Sequence, residues 1–270
     1  MPNGRIVIVT GGASGIGHAT AKHFAREGDT VIVADIDEDL GRKAVDEITE
    51  AGGSAHFAAL DVTSESSVTD LRTWCEREVG PPGVLVNSAG LIQNAVTAQA
   101  MDMEIHDRIW QVNYRGTYLC CRILGEAMLR RGEGSIVNLA SINSFRTMPL
   151  PAYSPGKAAV KMLTEILAAQ YGPRGVRVNG VAPTFTMTPT IKARIESGHR
   201  DAESIRASGA LKVLVTPENI ADGIAFLCSP GAAVITGVTL PIDAGWLVAQ
   251  TYQAYPAAVE GSDAFDDPSS

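Results

Sequence analysis

Cysteine is scarce in this sequence, with four residues in a chain of 270. Cys120 and Cys121 are adjacent, whereas Cys75 and Cys228 lie far from them, so no pair has the spacing of a metal-binding or disulfide-rich module. A disulfide scaffold and a cysteine-ligated metal centre are therefore excluded as the basis of the fold. We expect buried, reduced thiols and no metal site.

The sequence also lacks any apolar run close to the roughly 20 residues that span a bilayer, and it lacks excess positive charge. Its formal net charge is -8, which on average repels nucleic-acid phosphates and anionic membranes. The first apolar stretch ends at Thr10 and Gly11 and is too short for a signal peptide. We expect a cytoplasmic protein with neither a nucleic-acid nor a membrane partner.

What the sequence does contain is a regular alternation of short β-branched runs and longer amphipathic stretches. Several of the runs are almost entirely apolar, which requires cover on both faces of a sheet. The pattern predicts an α/β fold, a Rossmann-like, doubly wound, seven-stranded parallel sheet with helices on both faces. The predicted strands are 5–10, 30–35, 54–60, 84–87, 135–140, 176–181 and 238–242, and the predicted helices are 16–27, 38–51, 65–79, 101–131, 152–171 and 217–228.

We expect residues 1–250 to form a single domain, because α/β folds of this length are commonly one unit. Residues 184–215 interrupt the alternation and are rich in threonine, serine and charge, which is typical of an irregular substrate lid. Residues 251–270 form a C-terminal extension with two prolines and an acidic end. We expect its last residues to be disordered.

A glycine-rich turn joins the first predicted strand to the first predicted helix. Glycine lets the backbone approach a phosphate, and the positive end of the following helix attracts that charge. The G-x-x-x-G-x-G spacing also suits a simple turn, but its place between a strand and a helix favours a dinucleotide pyrophosphate. The candidate residues are Gly11, Ser14, Gly15, Ile16 and Gly17.

Acidic residues follow the second and third predicted strands. At the end of the second strand, the Asp35 carboxylate can accept hydrogen bonds from the adenosine ribose and would repel a 2′-phosphate. No lysine or arginine stands beside it, so NAD is favoured over NADP. Alternatively, Asp35 caps the next helix, although Asp37 could do this too, and Asp61 could bond adenine or act as a cap. The candidate adenosine contacts are Asp35, Ile36, Asp61, Val62, Asn87, Ala89 and Gly90.

Tyr153 and Lys157 lie four residues apart at the start of a predicted helix and therefore share one face. A neighbouring ammonium favours the phenolate and brings the tyrosine pKa towards the working range of an acid/base catalyst. Such a pair is also common on helix surfaces. Ser141 follows the fifth strand, at the sheet edge where such folds bind ligands, and Asn113 is unfavourable inside a helix unless its amide has a task.

Taken in order, these motifs resemble the short-chain dehydrogenase/reductase family over about residues 5–245. The resemblance implies that Tyr153 is the general acid/base, that Ser141 orients the substrate oxygen, and that Asn113 holds a water in the proton path. It implies that Lys157 binds the nicotinamide ribose and lowers the tyrosine pKa. It further implies a small alcohol or ketone substrate and a homotetramer, or alternatively a homodimer. The residues implied to hold the nicotinamide ring are Pro183, Thr186 and Thr188.

The sequence departs from the family pattern at a few points. Ser88 replaces the second asparagine of the usual Asn-Asn-Ala-Gly, and Thr184 replaces the glycine of the usual Pro-Gly. Pro155 falls between Tyr153 and Lys157, which requires that it lie in the first turn of the helix, where its missing N–H has no partner to lose. None of these changes removes a catalytic group.

Residues that flank the catalytic set are candidates for substrate recognition. The amides of Gln93 and Asn143 favour a sugar, polyol or other small hydroxylated substrate, whereas Phe185 and Met187 suit an apolar ketone. Alternatively, the two amides form hydrogen bonds only with the loop backbone. A 3-oxoacyl thioester is a further alternative, and a catalytically silent NAD-binding regulatory protein is an alternative of another class. Four basic residues of the lid could steer an anion, although we expect them to be charges on a solvated helix face. They are Arg194, His199, Arg200 and Arg206. The candidate substrate residues are Gln93, Asn143, Thr184, Phe185 and Met187.

Overall fold

The computed structural model describes residues 4–254 and 256, and their seven strands form one parallel sheet. In chain order the strands are β1 (Ile6–Thr10), β2 (Thr30–Asp35), β3 (Ser54–Ala59), β4 (Val84–Asn87), β5 (Gly134–Leu139), β6 (Val176–Pro183) and β7 (Thr239–Ile242). The sheet order is β3-β2-β1-β4-β5-β6-β7. The predicted fold class is confirmed. The order reverses between β1 and β4, so their carboxyl ends border a crevice in which such sheets bind ligands.

The described part of the chain contains ten α-helices that cover the sheet or frame its carboxyl edge. They are α1 (Gly15–Arg26), α2 (Glu38–Glu50), α3 (Glu65–Glu78), α4 (Met103–Trp110), α5 (Thr117–Arg131), α6 (Tyr153–Tyr171), α7 (Pro189–Glu196), α8 (Ala202–Ser208), α9 (Pro217–Cys228) and α10 (Trp246–Gln253). Most predicted helix ends agree with these to within a residue or two.

Alternate residues of each inner strand enter two different apolar layers. In β1, Ile8 packs in the layer formed with α3, α5 and α6, whereas Val7 and Val9 pack in the layer formed with α1, α2 and α9. All three side chains are fully buried. Each such burial contributes about 1.5–3 kcal/mol of hydrophobic free energy. Cover on both faces is the reason why the strands are continuous apolar runs.

The prediction of one long helix over 101–131 is wrong in its middle. The α-helical pattern stops at Trp110, residues Gln111–Gly116 form a π-helical turn, and α5 continues from Thr117. Gly116 packs so closely on Val62 that a Cβ atom would lie 2.7 Å from the Val62 Cγ2 atom. Hydrophobic periodicity cannot reveal one wider turn, because the residues on either side remain helical.

The irregular conformation predicted for residues 184–215 is wrong, because the segment contains α7 and α8, whereas its role as a substrate lid stays a prediction and the name lid is kept for it. The Thr188 hydroxyl accepts a hydrogen bond from the Ile191 N–H at 3.4 Å, and the Asp201 carboxylate accepts one from the Ser204 N–H at 2.7 Å. Polar residues that suggested a loop are therefore N-caps of short helices.

The C-terminal apolar segment forms α10, and all four cysteines are buried and free. The predicted disorder at the end of residues 251–270 concerns residues outside those described. Within residues 4–254 and 256, no helix has both the length and the apolar character needed to cross a membrane. The same residues contain no cluster of three or more histidine, cysteine, aspartate or glutamate side chains placed to bind a metal.

Candidate active site

A cleft of about 420 Å³ lies at the carboxyl edge of the sheet and gathers most of the predicted site residues. The lining residues that the sequence predicted are Gly11, Ser14, Gly15, Ile16, Asp35, Ile36, Asp61, Val62, Ala89, Gly90, Gln93, Ser141, Asn143, Tyr153, Lys157, Pro183, Thr184, Phe185, Thr186 and Thr188. Four other predicted residues, Gly17, Asn87, Asn113 and Met187, do not line it.

The glycine-rich turn between β1 and α1 forms one wall of the cleft. Gly11 and Gly15 have positive φ angles of 65° and 55°, which an L side chain rarely adopts. A Cβ atom on Gly17 would lie 2.0 Å from the Gly11 carbonyl oxygen, so this glycine closes the turn from behind rather than lining the cleft. A Cβ atom on Gly15 would come within 3.1 Å of the Thr188 Cγ2 atom, so the turn lies directly against the start of α7.

Asp35 stands at the end of β2 and holds the glycine-rich turn in place. One carboxylate oxygen accepts a hydrogen bond from the Ala13 N–H at 3.0 Å, and the other accepts one from the Asp37 N–H at 3.1 Å. The cap of α2 is Asp37, whose side chain accepts a hydrogen bond from the Leu40 N–H at 3.0 Å. The helix-cap interpretation of Asp35 is therefore wrong, and its carboxylate is available to the cleft.

Asp61 lines the cleft, and its Oδ1 atom accepts hydrogen bonds from the Thr63 N–H at 2.9 Å and from the Thr63 hydroxyl at 2.7 Å. These bonds lower the pKa of Asp61. The cap of α3 is Ser64, so Asp61 does not take that role. A carboxylate held in its charged form at this edge can accept the hydrogen bond of an exocyclic amino group.

Asn87 and Met187, both predicted to contact a ligand, instead contribute to packing below the cleft. The Asn87 amide donates hydrogen bonds to the Asn138 Oδ1 atom at 2.8 Å and to the Cys121 thiol at 3.1 Å. Met187 is 9% exposed, and its N–H donates to the Val215 carbonyl at 2.9 Å. The sequence did not reveal Asn138, because a polar residue within an apolar strand finds its partner only when β4 and β5 pair.

Tyr153 and Lys157 project from the first turns of α6 into the cleft. The Lys157 ammonium donates a hydrogen bond to the Leu139 carbonyl at 2.6 Å and lies 5.6 Å from the centre of the Tyr153 ring. Burial lowers the pKa of Lys157 to about 8. Burial also raises the pKa of Tyr153, and a hydrogen bond with Ser141 opposes that rise. Desolvation is thus the larger influence on the Tyr153 pKa among the protein's own groups, and the lowering expected from Lys157 stays a prediction.

Pro155 falls in the first turn of α6, which is where a helix tolerates a proline. The helix begins at Tyr153, so Pro155 is its third residue and the helix loses no hydrogen bond there. The catalytic tyrosine candidate thus stands at the N-terminus of the helix.

Ser141 directly follows β5 and starts a short 3₁₀ turn. Its hydroxyl oxygen accepts a hydrogen bond from the Asn143 N–H at 3.2 Å. This contact leaves the hydroxyl proton free to donate to an oxygen in the cleft. The arrangement can therefore orient a substrate carbonyl or alcohol beside Tyr153.

Asn113 lies in the π-helical turn, and its amide is occupied by the loop after β4. Its Oδ1 atom accepts a hydrogen bond from the Leu91 N–H at 2.7 Å, and its Nδ2 atom donates one to the Leu91 carbonyl at 2.9 Å. The amide therefore has a task, which is to fix the loop that borders the cleft. The water-holding role implied by the family resemblance stays a prediction.

Gln93 was predicted to bind substrate, but its amide instead supports the catalytic helix. Its Oε1 atom accepts hydrogen bonds from the Ala152 N–H at 3.0 Å and the Tyr153 N–H at 2.9 Å. The alternative that such an amide satisfies loop backbone is closer to what the structure shows. Asn143, by contrast, lines the cleft with a buried Oδ1 atom that has no hydrogen-bond partner among the described residues.

The cleft also contains residues that the sequence did not single out as ligand contacts. Met148 and Leu150 line it from the loop before α6, and Arg108 and Arg200 line it from α4 and from the lid. Arg200 lies in the turn between α7 and α8, so the prediction that it occupies a solvated helix face is wrong. A glycine-rich turn can be recognised from its local sequence, whereas the position of Arg200 in the cleft depends on how residues 184–215 fold.

The residues of this cleft fit a nicotinamide dinucleotide. A Cβ atom on Gly11 would lie 2.8 Å from the Ala89 backbone, so only glycine lets the turn pack this closely against the loop after β4 at the cleft. Asp35 and Asp61 would hold the adenosine half, and Thr186, Thr188 and Lys157 would hold the nicotinamide half. Such a group supplies the hydride donor or acceptor for an alcohol and its ketone.

Comparison with known proteins gives consistent relatives over nearly the whole chain. A family model described as Enoyl-(Acyl carrier protein) reductase matches residues 11–247. Short-chain reductase protein NovJ of Streptomyces niveus is 36% identical over 89% of this chain and 93% of that protein. The 2,5-dichloro-2,5-cyclohexadiene-1,4-diol dehydrogenase LinX of Sphingobium indicum is 35% identical over 91% and 97%. The D-threitol dehydrogenase of Mycolicibacterium smegmatis is 34% identical over 91% and 94%.

Solved structures share the same architecture. A structure named ribose-5-phosphate isomerase, from Brucella melitensis 16M, superposes with a TM-score of 0.89 at 41% identity over 95% of this chain and 98% of that chain. A structure of ElxO with bound NADP superposes with a TM-score of 0.85 at 29% identity over 91% and 99%.

Proposed function

Since this chain belongs to the short-chain dehydrogenase/reductase family, we propose that it is a NAD-dependent dehydrogenase that oxidises a secondary alcohol of a sugar, polyol or other small hydroxylated compound to a ketone. Its relatives make the chain, more broadly, an oxidoreductase that acts on alcohol groups. One observation carries the proposal. A single cleft is lined by the glycine-rich turn and Asp35 in one part and by Ser141, Tyr153 and Lys157 in another.

The proposed chemistry follows from the three catalytic side chains. Tyr153, as the phenolate, would remove the proton from the substrate hydroxyl, and a nicotinamide held by Lys157, Thr186 and Thr188 would supply the hydride acceptor needed to form the ketone. Ser141 donates a hydrogen bond to the substrate oxygen and keeps it within reach of Tyr153. The buried Lys157 ammonium, fixed by the Leu139 carbonyl, favours the phenolate electrostatically. In the reverse direction Tyr153 returns the proton to the carbonyl oxygen.

The choice of NAD rests on the charge at the end of β2. Asp35 lines the cleft, its neighbour Ile36 is apolar, and the turn at residues 13 and 14 carries no basic side chain. A carboxylate here accepts hydrogen bonds from ribose hydroxyls and repels a phosphate in the same place. ElxO, which shares the fold, is a structure with NADP bound, so the fold alone does not set the cofactor, and we propose that the side chain at this position does.

A hydroxylated substrate is supported by unpaired polar atoms next to the catalytic set. Asn143 and Thr184 line the cleft, and their Oδ1 and Oγ1 atoms are buried and have no hydrogen-bond partner among the described residues. A buried polar atom without a partner costs about 1–3 kcal/mol, and a substrate hydroxyl would remove that cost. Two relatives are named as dehydrogenases of a diol and of threitol, which agrees with this class.

We also propose a homotetramer, which rests on the family and on apolar surface. Tyr118 on α5 is 41% exposed, and Met162 and Ile166 on α6 are each 54% exposed. Contiguous exposed apolar side chains on neighbouring helices are typical of subunit contacts. Light scattering of the purified protein tests this directly, and a monomer at micromolar concentration would contradict it.

The decisive experiment is a substrate panel with the purified protein. Polyols, sugars, hydroxy acids and cyclic secondary alcohols are offered with NAD or with NADP, and formation of reduced nicotinamide is followed. We expect oxidation of at least one polyol or sugar class, with higher kcat/KM for NAD. Tyr153→Phe should lower kcat by about 100- to 10,000-fold, which is the usual contribution of general acid/base catalysis.

The same panel separates the alternatives. Isomerisation of ribose 5-phosphate without added dinucleotide would assign the chain an isomerase activity instead. Binding of NAD without oxidation or reduction of any compound would favour the silent regulatory protein. Reduction of a 3-oxoacyl thioester in preference to every polyol would contradict the proposed substrate class.

A further inference from the structure

Arg200 lies in the lid, and its position differs from that of an ordinary surface arginine. It lines the same cleft as Ser141 and Tyr153, and its guanidinium carbon lies 5.1 Å from the centre of the Phe185 ring. Phe185 follows the end of β6 and lines the same cleft, so its ring fixes the guanidinium at the cleft wall. The Arg200 N–H donates to the Arg194 carbonyl at 3.0 Å, which fixes the turn that carries it.

No carboxylate neutralises this arginine among residues 4–254 and 256. The ion pairs of that part of the chain include neither Arg200 nor Arg194. Burial, and then the charge of Arg200, lower the pKa of Arg194, so two positive groups lie near one another in the lid. Arg206, further along the same lid, instead pairs with Glu203 at 2.7 Å.

The charges that line the cleft are divided between its two parts. Its only acidic lining residues, within the described chain, are Asp35 and Asp61, which follow β2 and β3. Arg108 belongs to that part too, because its charge helps to lower the pKa of Asp61. The other charged lining residues are Lys157, whose ammonium is bonded to the Leu139 carbonyl, and Arg200. Apart from Asp35 and Asp61, the charged lining residues are therefore all positive in a protein whose net charge is -8.

From this geometry we infer that Arg200 binds an anionic group of the substrate, a carboxylate or a phosphate ester, so that the preferred substrate is a hydroxylated acid or a phosphorylated polyol or sugar. The inference rests on the proposed dehydrogenase function and narrows its substrate class. A planar guanidinium held against an aromatic ring presents two parallel N–H donors, which match a carboxylate or a phosphate. An anion here would also relieve the repulsion between Arg200 and Arg194.

Kinetics with matched substrate pairs test the inference. Each neutral polyol is compared with its monophosphate, and each hydroxy acid with its methyl ester, so the two sources of negative charge are separated. We expect the wild-type protein to prefer the charged member of at least one pair. Arg200→Gln should reduce that preference about 10- to 100-fold through KM, since a hydrogen bond to a charged group is worth about 1.5–3 kcal/mol. Arg206→Gln, in the same lid but already paired, should leave the preference unchanged.

A binding measurement makes the result independent of turnover. Inorganic phosphate and oxalate are added separately to the NAD-loaded protein, and the midpoint of thermal unfolding is followed. One of the two anions should raise the midpoint in the wild type and in Arg206→Gln, and not in Arg200→Gln. Equal preference for neutral and charged substrates, or an anion effect that survives in Arg200→Gln, would overturn the inference while leaving the dehydrogenase proposal intact. Absence of any dehydrogenation with a retained, Arg200-dependent anion effect would overturn the proposed function instead.

Discussion

Gln93 and Tyr153 lie 60 positions apart in the chain, yet their contact sets the geometry of the catalytic helix. The first N–H groups of a helix have no partner within it and need an external acceptor. Ala152, at the N-cap of α6, has no side chain that could provide one. Gln93 provides it from the loop after β4, and we propose that it thereby positions Tyr153, while its predicted contact with substrate stays a prediction.

Replacing Gln93 therefore tests whether catalysis depends on this support. Gln93→Ala leaves two backbone N–H groups without their acceptor, and we expect it to lower the free energy of unfolding by about 1–3 kcal/mol. The displaced tyrosine should lower kcat about tenfold, with little change in the dissociation constant for NAD. Urea unfolding, steady-state kinetics and a cofactor titration measure the three quantities.

Two further variants separate positioning from stability. Gln93→Glu keeps the acceptor and should restore most of kcat, but its negative charge near Tyr153 should move the pH profile of oxidation upward. Asn94→Ala changes the exposed neighbour and should resemble the wild type. If Gln93→Ala lowers stability but leaves kcat and its pH profile unaltered, Gln93 has only a structural role.

We propose that Asp35 is the residue that selects between NAD and NADP. Asp35→Asn keeps the shape and one acceptor for the Ala13 N–H, but removes the charge that would repel a 2′-phosphate. We expect the ratio of kcat/KM for NAD to that for NADP to fall about 100-fold. The variant loses both the charge-assisted hydrogen bond to the ribose of NAD and the repulsion of the 2′-phosphate of NADP. Asp37→Asn, which alters only the cap of α2, should leave the ratio unchanged. A ratio that is the same in both variants would mean that Asp35 does not select the cofactor.

At the scale of elements, the β1–α1 unit shows how little space the fold leaves around its turn. Gly17 is in the first turn of α1 and packs directly on the Gly11 carbonyl. The Gly11 N–H in turn donates to the Ala34 carbonyl of β2 at 2.9 Å. A shift of α1 would therefore move the glycine-rich turn away from the neighbouring strand.

Gly17→Ala tests this coupling between helix and turn. The new Cβ atom would lie 2.0 Å from the Gly11 carbonyl oxygen, so either α1 or the turn must move. We expect a loss of about 1–3 kcal/mol in the free energy of unfolding, as for other overpacked sites, and a dissociation constant for NAD raised at least about tenfold. Gly172→Ala meets no atom within 4 Å and is the control. Unchanged NAD affinity in a folded Gly17→Ala protein would contradict the coupling.

At the scale of the whole molecule, the buried ionisable groups divide into two sets with opposite effects on stability at high pH. Burial lowers the pKa of Lys157 to about 8, so the unfolded chain binds more protons than the folded protein from there up to the ordinary lysine value of 10.5. Stability rises with pH in that window. Burial raises the pKa of the Cys75 thiol and of Tyr171 to about 12, so their contributions fall as pH increases above their ordinary values.

Lys157→Met isolates the first of these effects. The variant lacks the titrating ammonium, so its stability advantage over the wild type should be largest near about pH 7 and should shrink by up to about 3 kcal/mol near about pH 10. Urea unfolding of both proteins at the two pH values gives the difference. Lys161→Met, one turn further along α6, removes an ammonium paired with Glu165 near solvent and is the matched control. A difference that does not change with pH would contradict a buried, titrating Lys157.

The sequence by itself determined the sheet, its helices and the catalytic spacing, because these depend on short-range patterns. Apolar runs covered on both faces predicted the parallel strands, and four-residue spacing placed Tyr153 and Lys157 on one face of α6. The glycine-rich turn was equally visible, since positive φ angles and close backbone packing leave only glycine. Asp35 followed from its place at the end of β2.

Only the tertiary structure decided which polar side chains face the cleft and which support it. Gln93 reaches the start of α6, Asn87 bonds to Asn138 beneath the cleft, and Arg200 enters it from the lid. Each of these contacts joins segments that are distant in the chain, and an amide or a guanidinium suits a ligand and a backbone partner equally well. Its partner is fixed by how layers and loops pack together, which local periodicity does not encode.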